Sequence, residues 1–170
     1  DALKQFDFSL TINPEDTESL AGRGVVLHAI GSDLQGAKGA FESAIKLSKS
    51  NFENAYLWSN LGQVQTELGE FEAALKNLNQ AVELDPSFTE ARSHRAYLIA
   101  MHFGQQPSML ETAKSDLQSV FKSSDERTFW DYRAAARVNA ALGDFDRATK
   151  FQTAACNLVR KTGPKRFVAD

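Results

Sequence analysis

The side chains able to do covalent or metal chemistry are few in this sequence, and their spacing keeps them apart. Cys156 is the single cysteine, so neither an internal disulfide nor a metal site built on several thiolates can form. It follows Ala155 with no histidine near it in sequence, and so reads as a small residue at a helix contact rather than an activated thiol. His94 and His102 lie about 12 Å apart along a helix that rises about 1.5 Å per residue, too far to chelate one metal. His28 stands alone. The run Ala21-Gly22-Arg23-Gly24-Val25 has the glycines of a phosphate loop but no Lys-Ser or Lys-Thr after them. No nucleophile elbow occurs. These residues predict no catalytic group, no metal and no cofactor, hence a non-enzymatic chain.

Binding chemistry is better represented. Arg133 and Arg137 are four residues apart and share one helical face, where they could grip a carboxylate or a phosphate. The alternative is a pair of solvated cations matched by Asp131, Asp144 or Glu126. The bulk numbers limit the partner. A net charge of -3 and a pI near 5.7 argue against a general nucleic-acid binder, which needs a basic excess to displace counterions. Hydrophobic residues make up 42% of the chain, enough for a core. No apolar run approaches the roughly 20 residues of a membrane span, the longest being Ala96-Tyr97-Leu98-Ile99-Ala100-Met101. The N-terminus has no signal-peptide pattern.

The elements that position these residues come from a repeat. Residues 55–88 read AYLWSNLGQVQTELGEFEAALKNLNQAVELDPSF. Trp58, Leu61 and Gly62 are followed there by Gly69, Phe71, Ala74, Leu78, Ala81, Leu84 and Pro86. The second half of this pattern, a small residue, then a large one, then a small one, then an apolar one, recurs along the chain. It appears as Ala2-Phe6-Ser9-Ile12, Ala37-Phe41-Ala44-Leu47, Ala74-Leu78-Ala81-Leu84, Ala113-Leu117-Val120-Ser123 and Ala148-Gln152-Ala155-Leu158. Small residues let paired helices approach, and the large one fills the gap to the next pair. Gly31, Gly69 and Gly143 can take the left-handed conformation that closes a helix, and Leu34, Phe71 and Phe145 then open the next. A generic bundle has no reason to keep Gly, Phe and Ala in this order.

The spacing resembles the tetratricopeptide repeat, a unit of about 34 residues that folds as two antiparallel helices. Gln65 stands where that family usually has Tyr. The resemblance implies an all-α, right-handed superhelical solenoid. Its register gives the second helix of a truncated repeat over 1–14, then hairpins over 15–50, 51–86, 87–124 and 125–162, and a tail over 163–170. All of it reads as one solenoid domain, a piece of a longer array. Trp58, Leu61, Gly62, Ala74, Leu78, Ala81, Ala148 and Ala155 are the expected structural core. Extra residues predict an early start to the second hairpin, capped by Ser50 and Glu53, and a lengthened turn near 104–108 in the third. Ser87 with Glu90 and Ser108 with Glu111 read as further capping boxes. Leu3, Phe6 and Leu10 form an apolar face expected to need cover.

In this family the first helices of the hairpins line a concave groove where partners bind. By that resemblance the groove residues are Tyr56, Asn60 and Gln63 in the second hairpin, His94 and Tyr97 in the third, and Trp130, Arg133 and Arg137 in the fourth. Ser59 and Ser93 fall on the same face. Tyr56, Tyr97 and Trp130 would supply aromatic platforms with polar edges, although Trp130 could instead pack between hairpins. Relatives that bind the acidic C-terminal tails of chaperones carry a clamp of Lys, Asn, Asn, Lys and Arg. Here only Asn60 matches; Ala21, Val25, Glu90 and His94 occupy the other places, so that partner class is disfavoured. The expected function is a scaffold that binds a protein or peptide segment. Two alternatives stand beside it: a structural module that stacks through its ends or self-associates, and a regulatory array attached to a catalytic domain.

Overall fold

The computed structural model describes residues 2–31, 33–49, 51–123 and 126–162, with the backbone alone at 51–53 and 162. Among them are nine α-helices and no strand: α1 (Ala2–Ile12), α2 (Thr17–Ile30), α3 (Leu34–Leu47), α4 (Asn51–Glu67), α5 (Phe71–Leu84), α6 (Thr89–Leu98), α7 (Pro107–Ser123), α8 (Phe129–Ala141) and α9 (Phe145–Thr162). The fold is an all-α helical repeat in which α2 pairs with α3, α4 with α5, α6 with α7 and α8 with α9. Packing divides it into two compact units at Asp85–Pro86, with α1 to α5 in the first and α6 to α9 in the second. Among the described residues no helix is long and apolar enough to cross a membrane.

Local sequence sets the helix ends. Gly31, Gly69 and Gly143 have φ of 68°, 79° and 81°, the left-handed region that a side chain would penalise. At each the next helix begins within three residues, at Leu34, Phe71 and Phe145. Asp16 caps α2 by accepting from the Ser19 N–H at 3.3 Å, and Asp33 caps α3 through the Gly36 N–H at 2.7 Å.

Helix α6 starts at Thr89, directly after Phe88. One of the capping boxes read from sequence is not formed. Helix α7 begins at Pro107, and Met109 and Leu110 donate to the Gln106 carbonyl, which leaves Ser108 inside the first turn. Proline suits that place, because the first N–H groups of a helix have no partner within it. The Ser50–Glu53 box lies outside the described side chains; α4 starts at Asn51. Thr128 and Asp131 form a capping box at the start of α8, at 3.2 and 2.7 Å. The extra length of the third hairpin also differs from expectation. A five-residue π-helix, Ile99–Phe103, continues α6 and absorbs part of it, leaving Gly104 to Gln106 as a short turn.

The first unit is organised on Leu27, Phe41, Leu57, Leu61 and Val64 with Ala37 and Ala44, and Trp58 packs partly buried against them. Close approach depends on glycine. A Cβ on Gly24 would stand 2.9 Å from the Phe41 ring, and one on Gly62 would stand 2.7 Å from Leu78 Cγ. The Gly22–Gly24 run is thus a packing surface inside α2, with Phe6 over Gly22 and Phe41 over Gly24. Leu61, Gly62, Ala74, Leu78, Ala81 and Ala155 are buried, while Trp58 and Ala148 are partly buried.

The face of α1 turns out otherwise than its sequence suggests. Leu3, Phe6 and Leu10 are partly buried, Leu3 against the core and Phe6 on α2, whereas Phe8 and Ile12 are 67% and 72% exposed. In the second unit Phe121, Tyr132 and Phe151 join α7, α8 and α9, with ring centroids 5.5 to 6.4 Å apart. On α9 the helix contact belongs to Ala155. Cys156, one position round the helix, is exposed, which corrects its reading as a contact residue.

Candidate interaction site

Polar ties set the frame of each unit. In the first, Gln65 is buried and accepts from Asn77 Nδ2 at 2.5 Å, while its own amide donates to Glu70 Oε2 at 3.3 Å. Lys38 Nζ donates to both Glu70 oxygens at 2.7 Å, so the chain of bonds links α3, α4 and the start of α5. The Lys38 hydrogen bond holds the Glu70 carboxyl below the usual carboxylate range, and the same contact raises Lys38 above the usual ammonium range. Because Glu70 is depressed in the folded state, its contribution is present above its unfolded pKa and lost as pH falls through the folded one. Raised Lys38 gives the mirror case, with a contribution lost as pH climbs through its folded pKa. Glu70→Gln should therefore flatten the acid limb of a plot of urea midpoint against pH and lower the midpoint near neutrality. An unchanged acid limb would remove Glu70 from the account.

In the second unit Asp116 is 1% exposed and accepts from Arg92 Nη1 at 2.8 Å and from Arg95 Nε and Nη2 at 2.7 Å. It locks α7 to α6. Asp131, also buried, accepts from Ser93 Oγ at 2.5 Å with one oxygen and caps α8 with the other. That single carboxylate fixes α8 against α6, the two first helices of their hairpins.

On this frame sits an aromatic and cationic cluster. Arg133 Nη2 donates to the Tyr97 hydroxyl at 2.8 Å. Its guanidinium carbon lies 4.6 Å from the Tyr97 ring centre, 4.9 Å from Trp130 and 5.9 Å from Phe129. His94 tilts onto Trp130 with centroids 5.0 Å apart. Tyr97, Trp130 and Arg133 are partly exposed, His94 is 8% exposed beneath them, and Arg137 is exposed. Arg133 meets rings here, not the carboxylates of Asp131, Asp144 or Glu126.

The remaining sequence-derived residues lie on α4 in the first unit. Tyr56 is 42% exposed, and Asn60 is buried with its amide donated to the Tyr56 carbonyl at 2.9 Å. Gln63 is partly buried. Ser59 and Ser93 are fully buried and offer no surface. His28 Nε2 meets Glu67 Oε1 at 2.9 Å and ties α2 to α4. Sequence reasoning missed Asp116, though it left a signal: the carboxylate falls in the apolar stripe of Ala113, Leu117 and Val120.

Residues 55–88 match the model of the tetratricopeptide repeat. Solved structures share the fold over nearly the whole chain. MamA, residues 41 to the end, from Desulfovibrio magneticus RS-1 is 22% identical, covering 94% of this chain and 84% of that one with a TM-score of 0.64. PilF of Pseudomonas aeruginosa is 13% identical over 98% and 69% of the two chains, TM-score 0.69. YrrB, described as a TPR protein with an unusual peptide-binding site, is 24% identical over 98% and 79%, TM-score 0.64. Identities this low speak for the fold, and the matched repeat speaks for the family. Residues 55–88 thus carry a tetratricopeptide repeat, set in an all-α array of helical hairpins three of whose turns close on left-handed glycines.

Proposed function

We propose that this chain is a non-catalytic protein-interaction module that binds a polypeptide segment across the face shared by α6 and α8. The observation that carries the reading is the Tyr97–Arg133–Trp130 stack, half-exposed and already ordered by its own contacts. Large rigid side chains held in place before binding lose little entropy on contact, which is what a hot spot requires. The peptide-binding site in the description of YrrB supports a peptide ligand. Tyr56 and Gln63 on α4 offer contacts of similar chemistry, and buried Asn60 supports the helix beneath Tyr56. Chaperone tails remain disfavoured, since Asn60 is the one clamp residue present. Peptides selected from a displayed library on the wild-type chain should bind Tyr97→Ala and Trp130→Ala about tenfold more weakly or worse, with native far-UV circular dichroism. Undiminished affinity in both variants would overturn the reading.

A second reading, self-association, is favoured by Phe8 and Ile12, two large apolar side chains left exposed one turn apart on α1. Phe8→Ser with Ile12→Ser should then abolish any concentration-dependent rise in mass measured by light scattering. A wild-type chain that stays monomeric at every concentration counts against it.

A further inference from the structure

Arg133 and Arg137 stand one turn apart on α8, about 6 Å along the axis at about 1.5 Å per residue. Among the described residues neither meets a carboxylate. Arg133 commits one N–H to the Tyr97 hydroxyl and otherwise faces aromatic rings, which attract a cation but carry no net charge. Arg137 makes no hydrogen bond or ion pair among the described residues. The carboxylates nearest in sequence are engaged elsewhere: Asp131 holds Ser93 and the Thr128 N–H, and Asp144 pairs with Arg147 at 3.3 Å. In a chain with a net charge of -3, two guanidinium groups that meet no carboxylate among the described residues, beside two partly exposed rings, form a local exception.

We infer that this face selects an acidic peptide segment, whose Asp or Glu carboxylate is received by Arg133 and Arg137 while a neighbouring side chain rests on Tyr97 and Trp130. The inference depends on the reading above, that the α6/α8 face binds a polypeptide. A carboxylate matches the fork of guanidinium donors, and Arg133 has four N–H groups still to offer. Stacking has already restricted its rotamers, so less freedom is lost when the anion arrives. Tyr97 acts as a positioning residue, since its hydroxyl and ring hold Arg133 in place. The basis is distinct from the chaperone-tail clamp, none of whose places falls on either arginine.

The test uses fluorescein-labelled peptide pools of equal length that differ at fixed positions, carrying Asp and Glu, Asn and Gln, Lys and Arg, or phosphoserine. Fluorescence anisotropy with the full chain should show the Asp/Glu pool binding about tenfold tighter than the Asn/Gln pool, as charge-assisted bonds require. Added salt should shrink that ratio. Arg137→Gln should bring it towards one, and Tyr97→Phe, which keeps the ring and removes the hydroxyl, should lower it part of the way. Equal binding of the Asp/Glu and Asn/Gln pools, or tighter binding of the Lys/Arg or phosphoserine pool, overturns the acidic assignment while leaving the face a peptide site. No binding of any pool overturns both.

Discussion

Replacing Phe41 by alanine is expected to lower the unfolding free energy by about 3–5 kcal/mol. The side chain is fully buried, and it joins α3 to α2 and to the Leu57, Leu61 and Val64 face of α4. Its ring presses on Gly24, where even a methyl group would stand only 2.9 Å away. Gly24, directly beneath the ring, has no side chain to refill the space. The loss therefore includes the cavity as well as the transfer of the ring. Urea denaturation followed by circular dichroism measures it, and Phe41→Leu should recover a large part. An alanine variant within about 1 kcal/mol of wild type would contradict the packing described for the first unit.

Asp116→Ala should be of comparable size, about 3–5 kcal/mol, for an electrostatic reason. Arg92 and Arg95 have side chains only 17% and 12% exposed, and the variant leaves both cations without their shared carboxylate. Two desolvated positive charges, about one turn apart on α6, would then be left side by side. The cost comes from that residue of charge more than from the lost attraction, so removing all three charges should hurt far less. Arg92→Met, Arg95→Met and Asp116→Leu combined should stand closer to wild type than Asp116→Ala alone. Chemical denaturation of the two variants decides the matter. A triple variant less stable than the single one would show that the pair contributes net stability, against this account.

The repeat was legible because close packing writes itself into residue size at fixed intervals. Glycine at 31, 69 and 143, a bulky residue soon after, and alanine at the helix contacts suffice to place helices and turns. Polar burial was much less legible. Gln65 was noticed only as a departure from the family's Tyr, yet it supplies both an acceptor and a donor to a chain running from Asn77 to Lys38. Its worth depends on Glu70 and Asn77 arriving from α5, which no periodicity in α4 reveals. The π-helix at Ile99–Phe103 escaped for a related reason, since extra residues are as easily assigned to a turn as to a widened helix. Cys156 was misplaced by one residue, and one residue on a helix is about 100° of rotation.

The candidate site divides in the same way. Helical spacing put Tyr97 on one face of α6 and Trp130, Arg133 and Arg137 on one face of α8. That Arg133 lies across both rings, and that Asp131 fastens the two helices beneath it, are contacts between elements far apart in sequence. The alternatives for Arg133 were a ligand-facing cation or a surface ion pair. The structure shows no described carboxylate on Arg133 and a partly exposed cation held by aromatic rings and a phenol.

The most direct test of the central claim is backbone amide chemical-shift mapping of the chain titrated with a peptide selected on it. The account predicts that the largest perturbations fall on α6 and α8 around Tyr97, Trp130, Arg133 and Arg137, while α7 and α9 change little. Perturbations centred on α7 and α9, with α6 and α8 unmoved, would contradict it.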